Sequence, residues 1–145
     1  MQPSGDNRLP TADPTEPGQG LAVTAEALYL ANLLVLPLIA FLPLLVLFLR
    51  CDRRTPPLAR AHLEQTFGAS LWAGILLVFV NGGILLLGGY SGPWTWLIVI
   101  LYFTLCHSSL VLLGMFGLAR AMAGQCFRFP LVGRPLPEGC RLARR

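Results

Sequence analysis

His62 and His107 are the two imidazoles of the chain. With Cys51, Cys106, Cys126 and Cys140 they are the side chains best suited to proton transfer, metal ligation or nucleophilic attack. Their spacing narrows that chemistry. His62-Leu63-Glu64 shares residue types with the zinc-protease signature, but His-Glu-x-x-His puts two ligands one helical turn apart, and that pattern is absent. There is no Cys-x-x-Cys pair, and Cys51, His62 and Cys126 lie on separate stretches without a local ligand pair. A Gly-x-Ser-x-Gly elbow, paired intramembrane aspartates and a phosphate-binding glycine loop are missing as well. These absences predict a protein that is not an enzyme and needs neither metal nor cofactor.

Two polar residues stand inside long apolar runs, Asn81 and His107. Unpaired polar groups are costly in hydrocarbon and turn toward the interior of a helix bundle. At about 1.5 Å per residue, Asn81 lies about 20 Å and His107 about 18 Å from the matching ends of their helices. Equal depth in an antiparallel hairpin predicts an Asn81–His107 hydrogen bond, with Ser108 or Ser109 beside it. The alternative, a proton relay or ligand site on His107, lacks an intramembrane Asp or Glu to complete the chain.

The elements that must position these residues follow from composition. Of 145 residues, 54% are hydrophobic and 12% charged, outside the balance of a soluble domain. The apolar residues fall into three blocks near the roughly 20 residues that cross a bilayer. The expected fold class is all-α, an integral membrane bundle of three transmembrane helices over about 28–49, 67–89 and 94–119. Residues 1–24, rich in Pro and Gly, read as a disordered tail, residues 25–133 as the membrane domain, and residues 134–145 as a basic cytoplasmic tail. Pro37 and Pro43 predict a kink in the first span, Glu26 suits its first turn, and Ser70-x-x-x-Gly74 suits close helix contact in the second.

The net charge of +4 is carried by arginines that flank apolar spans and do not line a polar face, which excludes nucleic acid as the expected partner. Arg50, Arg53, Arg54 and Arg60 follow the first span, and Arg120, Arg128, Arg134, Arg141, Arg144 and Arg145 follow the third. With three spans, the positive-inside rule puts both groups in the cytoplasm and the N-terminus outside the inner membrane. Cys51, Cys126 and Cys140 would then face a reducing compartment as free thiols.

One motif sits at the threshold of the second span. Arg60-x-His62-x-x-Gln65 opens a helix that runs into the apolar block, and Ala121-Met122-Ala123-Gly124-Gln125 followed by Phe129-Pro130-Leu131-Val132-Gly133 closes the last span. Together these resemble a family of small bacterial membrane proteins of unknown function related to the Tic-type chloroplast protein-import component. The resemblance covers roughly Glu26 to Gly133 and implies an all-helical integral membrane domain.

Read physically, Arg60 and Glu64 at i and i+4 form an ion pair, and His62 or Gln65 contacts the Gly124–Pro130 segment to close the bundle. The functional expectation is a non-enzymatic scaffold or partner-binding module whose partners are the lipid bilayer and a membrane protein or further copies of itself. A transport or translocation subunit and an intramembrane enzyme using His107 are the alternatives.

Overall fold

The computed structural model describes residues 16–130 and 132–140. Among the described residues there are four helices: α1 (Gln19–Leu34), α2 (Phe41–Leu49), α3 (Pro57–Leu86) and α4 (Thr95–Met122). A π-helical stretch, Tyr102–His107, interrupts the regular winding of α4.

Helix α1 begins inside the stretch expected as tail. No proline follows Pro17 until Pro37, and Gly18, at φ 83°, turns the chain into the helix beside Pro56, to which an added Cβ would come within 2.9 Å. Ala22, Ala25, Glu26 and Tyr29, at i, i+3, i+4 and i+7, form one wholly buried face. Glu26 therefore lies mid-helix and not in a first turn. The rest of the expected tail, residues 1–15, lies outside the described residues.

The expected first span is not one helix. α1 ends at Leu34, the chain turns through residues 35–40, and α2 restarts at Phe41. Pro37 stands in the break, where it cannot donate a helical hydrogen bond, and Leu38 takes the left-handed φ of 67° with its N–H held by Asn32 Oδ1 at 3.0 Å. The turn reverses direction. α1 runs beside the first turns of α3, with Ala22 against Leu58 and Ala61 and Tyr29 against Ala69. α2 then comes back, with Phe41 and Phe48 both stacked on Phe67 and Cys51 returning to the Leu63 cluster. Residues 19–49 thus form a hairpin whose two ends lie beside the start of α3.

Pro57 at the first helical position starts α3, where its missing N–H costs nothing. α3 and α4 are each long and apolar enough to cross a membrane. Only 22% of the most apolar stretch of α3 and 11% of that of α4 is buried, so these are not the core helices of a soluble domain. The link between them turns on Gly88 and Gly89, both at positive φ, and is tied by Thr95 Oγ1 donating to the Gly89 carbonyl at 2.8 Å.

Beyond α4 the chain does not trail away as a free basic tail. Residues 123–130 and 132–140 fold back over the start of α3 as a cap. Leu136 packs against the Ala22–Leu58–Ala121 cluster, and Cys140 is bonded to Cys126. Residues 141–145 lie outside the described residues.

Candidate functional site

The core of the packed end is an ionisable pair. His62 Nδ1 lies 2.6 Å from Glu26 Oε1, and neither side chain has any exposure. Small residues make room for it. A Cβ added to Gly117 of α4 would sit 2.5 Å from both Glu26 carboxylate oxygens, and one added to Gly114 would sit 2.7 Å from the Tyr29 ring. These two glycines, one helical turn apart, form the notch that receives α1. The Tyr29 hydroxyl donates to the Leu110 carbonyl at 3.0 Å, fixing α1 to α4 a further turn along.

The hydrogen-bond geometry counts the protons. His62 Nε2 is 3.0 Å from the Gln125 carbonyl, which can only accept, so Nε2 carries a hydrogen. One further hydrogen then lies between Nδ1 and Oε1, whether drawn as a carboxylic acid donating to imidazole or as imidazolium donating to carboxylate. In both forms the pair is neutral overall, which suits a site without water. Burial pushes the Glu26 carboxyl above its usual range, opposed by the hydrogen bond and charge of His62. Glu26 Oε2 is buried without a hydrogen-bond partner among the described residues. With no exposed atom on either residue, the pair joins α1, α3 and the cap and offers no surface to a substrate.

Gln65 holds the cap one turn further along α3. Its Nε2 donates to the Arg134 carbonyl at 2.7 Å, and its Oε1 accepts from the Phe129 N–H at 3.4 Å. Phe129 fills the space beneath, against Tyr29 at 5.8 Å between ring centroids. Pro130 starts the turn in which the Gly133 N–H donates to the Phe129 carbonyl at 2.9 Å, and a Cβ on Gly133 would collide with that carbonyl and with Gln65. Gly124 has a different task. At φ 65° it stops α4, with its own N–H on the Ala121 carbonyl and the Gln125 N–H on that of Arg120. His62, Gln65, Gly124, Phe129, Pro130 and Gly133 are therefore brought into one closure.

Arg60 and Glu64 pair at 2.8 Å on the outer side of α3. Cys126 and Cys140 differ from the free thiols expected: they form a disulfide, which closes a loop around the Phe129–Gly133 turn. Cys51 and Cys106 are free. Cys126 is thus not available to join Cys51 and His62 in a metal site, and no cluster of three or more metal-binding side chains occurs among the described residues.

Asn81 and His107 are not brought together. Asn81 Nδ2 donates to the Leu77 carbonyl of its own helix at 2.8 Å, and its Oδ1 accepts from the Tyr90 hydroxyl at 2.6 Å. His107 lies in the π-helical stretch with Phe103 and Tyr102 as ring neighbours. Depth along two helices does not fix the direction in which side chains point, and the π-helical stretch changes that direction within α4.

Glu26, Tyr29, Gly114 and Gly117 were missed as site residues. The available signal was the Ala22-Ala25-Glu26-Tyr29 face, readable only once the helix is started at Gln19, together with the Gly114-x-x-Gly117 pair.

Residues 19–136 match the model of the magnetosome magnetite crystal formation protein family (MamF/MmsF). The match covers well over half of the chain, which belongs to that family of small membrane proteins. No curated protein and no solved structure matches. The resemblance to the Tic-type import component finds no support in these comparisons.

Proposed function

We propose that this member of the magnetosome magnetite crystal formation family is a non-enzymatic scaffold, holding partner membrane proteins at the membrane in which the crystal forms. The family name supports a role in crystal formation, and two long exposed apolar helices support residence in a membrane. One observation carries the non-enzymatic reading. The most elaborate polar constellation, Glu26–His62–Gln125 with Gln65 beside it, is spent on joining helices and cap. A catalytic pair would have to touch a substrate.

The hairpin also favours a topology other than three spans. If α3 and α4 are the crossing helices, then the start of α1, residues 50–56 and the cap share one side; the arginine count assigns that side to the cytoplasm, and the Cys126–Cys140 disulfide, which an oxidising compartment favours, opposes that assignment. Only the uncharged turn around Ser91 would face the other side. Cysteines introduced singly at Ser4 and Ser91 test this with an impermeant thiol reagent on intact cells. Labelling of Ser91→Cys alone supports two crossings, whereas labelling of both restores three.

Crosslinking within native membranes, followed by mass spectrometry, tests the scaffold. A reproducible membrane-protein partner that is lost on mutating the exposed face of α3 or α4 supports it. A water-filled self-oligomer that conducts ions in planar bilayers replaces it with the transport reading.

A further inference from the structure

We propose that the junction of α2 and α3 is a binding site for an anionic phospholipid of the membrane. A cavity of about 320 Å³ opens there, with Phe48 and Leu49 forming an apolar wall and Asp52, Arg53, Arg60 and Glu64 a charged one.

Two guanidinium groups and two carboxylates line this mouth, so its formal charge is balanced, but the carboxylates are already engaged and the guanidinium groups are not saturated. Asp52 is engaged within its own turn, accepting the Arg54 and Thr55 N–H groups on Oδ1 at 2.9 and 3.0 Å. Glu64 is engaged by Arg60, which spends only its Nε on the contact and keeps its terminal N–H groups. Arg53 makes no hydrogen bond or ion pair among the described residues. Two guanidinium groups thus face the cavity with donors to spare, and a phosphate diester is the anion whose paired oxygens suit that fork.

An exposed apolar surface leaves the cavity along α2. Leu49, on its wall, is 72% exposed, and Val46 and Leu42 continue the same exposed line on α2 at 44% and 61%. Residues at i, i+3 or i+4, and i+7 share one helix face, so this line runs about 10 Å from the arginines along α2. A mouth with spare guanidinium donors, continuous with an exposed apolar track, matches a molecule that carries a phosphate on an acyl chain. A soluble phosphate would use the mouth and leave the track uncovered. The arginines lie where the flanking basic residues of a membrane helix meet headgroups, so the ligand is already at hand. The site needs the chain to be in a membrane but is independent of whether it acts as a scaffold.

The test uses full-length protein in a neutral detergent, titrated with phosphatidylglycerol, with phosphatidylcholine and with inorganic phosphate, and read by native mass spectrometry and by thermal midpoint. Phosphatidylglycerol should remain bound and raise the midpoint. Arg53→Gln should weaken it roughly tenfold, the order expected for one lost charge-assisted hydrogen bond, while Arg54→Gln, outside the cavity, should change affinity less than twofold. Val46→Asn should weaken the long-chain lipid but not a short-chain glycerophosphate. Equal retention by wild type and Arg53→Gln, or equal binding of phosphatidylcholine, overturns the site. Inorganic phosphate competing as well as the lipid overturns the lipid assignment and leaves a plain anion site. Because the readout is binding to the purified chain, failure here leaves the crosslinking result of the scaffold proposal unaffected.

Discussion

The two ends of this molecule treat polar groups in opposite ways. At the packed end, Glu26, His62 and Gln65 are buried and bonded across helices and cap, so each ties together segments distant in sequence. At the open end, Asn81, Ser108 and Ser109 donate to carbonyls of their own helices, and the exposed residues around them are large and apolar, Val78, Phe79, Leu86 and Trp96 among them. The first end gains its stability from specific contacts between elements. The second is left to be covered by something other than the chain itself, which in a membrane protein is lipid or a neighbouring helix.

Substitutions should separate the two ends cleanly. Glu26→Ala removes one member of a buried pair and leaves the His62 Nδ1 position unpartnered; denaturation in micelles should show a loss of about 3–5 kcal/mol. Breaking the Cys126–Cys140 bond by Cys126→Ser with Cys140→Ser should cost about 3 kcal/mol, since the bond closes a loop of sequence separation 14. The loss should be visible first as faster amide hydrogen exchange at Gln125 and Phe129. Gly117→Ala inserts a methyl group against the Glu26 carboxylate and should destabilise by about 1–3 kcal/mol, with the thermal midpoint of Glu26→Gln nearly as sensitive to it as that of wild type. Smallest of all, Asn81→Leu should change stability by no more than about 0.6 kcal/mol, the average for polar contacts between membrane helices. An Asn81→Leu loss as large as that of Glu26→Ala would erase the distinction between the ends.

Some of this was legible in the chain and some was not. The apolar hairpin could be read because Gln65 to Ala119 contains no charged residue and turns once, at Tyr90-Ser91-Gly92-Pro93. The closure of His62 and Gln65 on the segment after α4 could be anticipated because both motifs lie at the same ends of their spans. The partner of His62 could not. Glu26 precedes it by 36 residues, and a carboxylate ahead of an apolar block reads equally well as a helix-start residue. The reversal at Pro37 was hidden for another reason: an apolar run of 22 residues has the same composition whether it crosses a bilayer or folds back in it. The cysteine pairing was hidden because Cys126 and Cys140 belong to no spacing motif, and their approach depends on the cap seating on α3.

The fold-back of residues 19–49 bears on how the chain enters a membrane. A three-span arrangement would carry Asp6, Arg8, Asp13 and Glu16 across the bilayer, each resisting transfer through hydrocarbon. In the two-crossing arrangement proposed above, the charged residues among those described would all stay on one side, and the segment to be translocated would be the neutral turn near Ser91. In that arrangement insertion would need one helical pair to enter, with α1 and α2 packing beside it against α3.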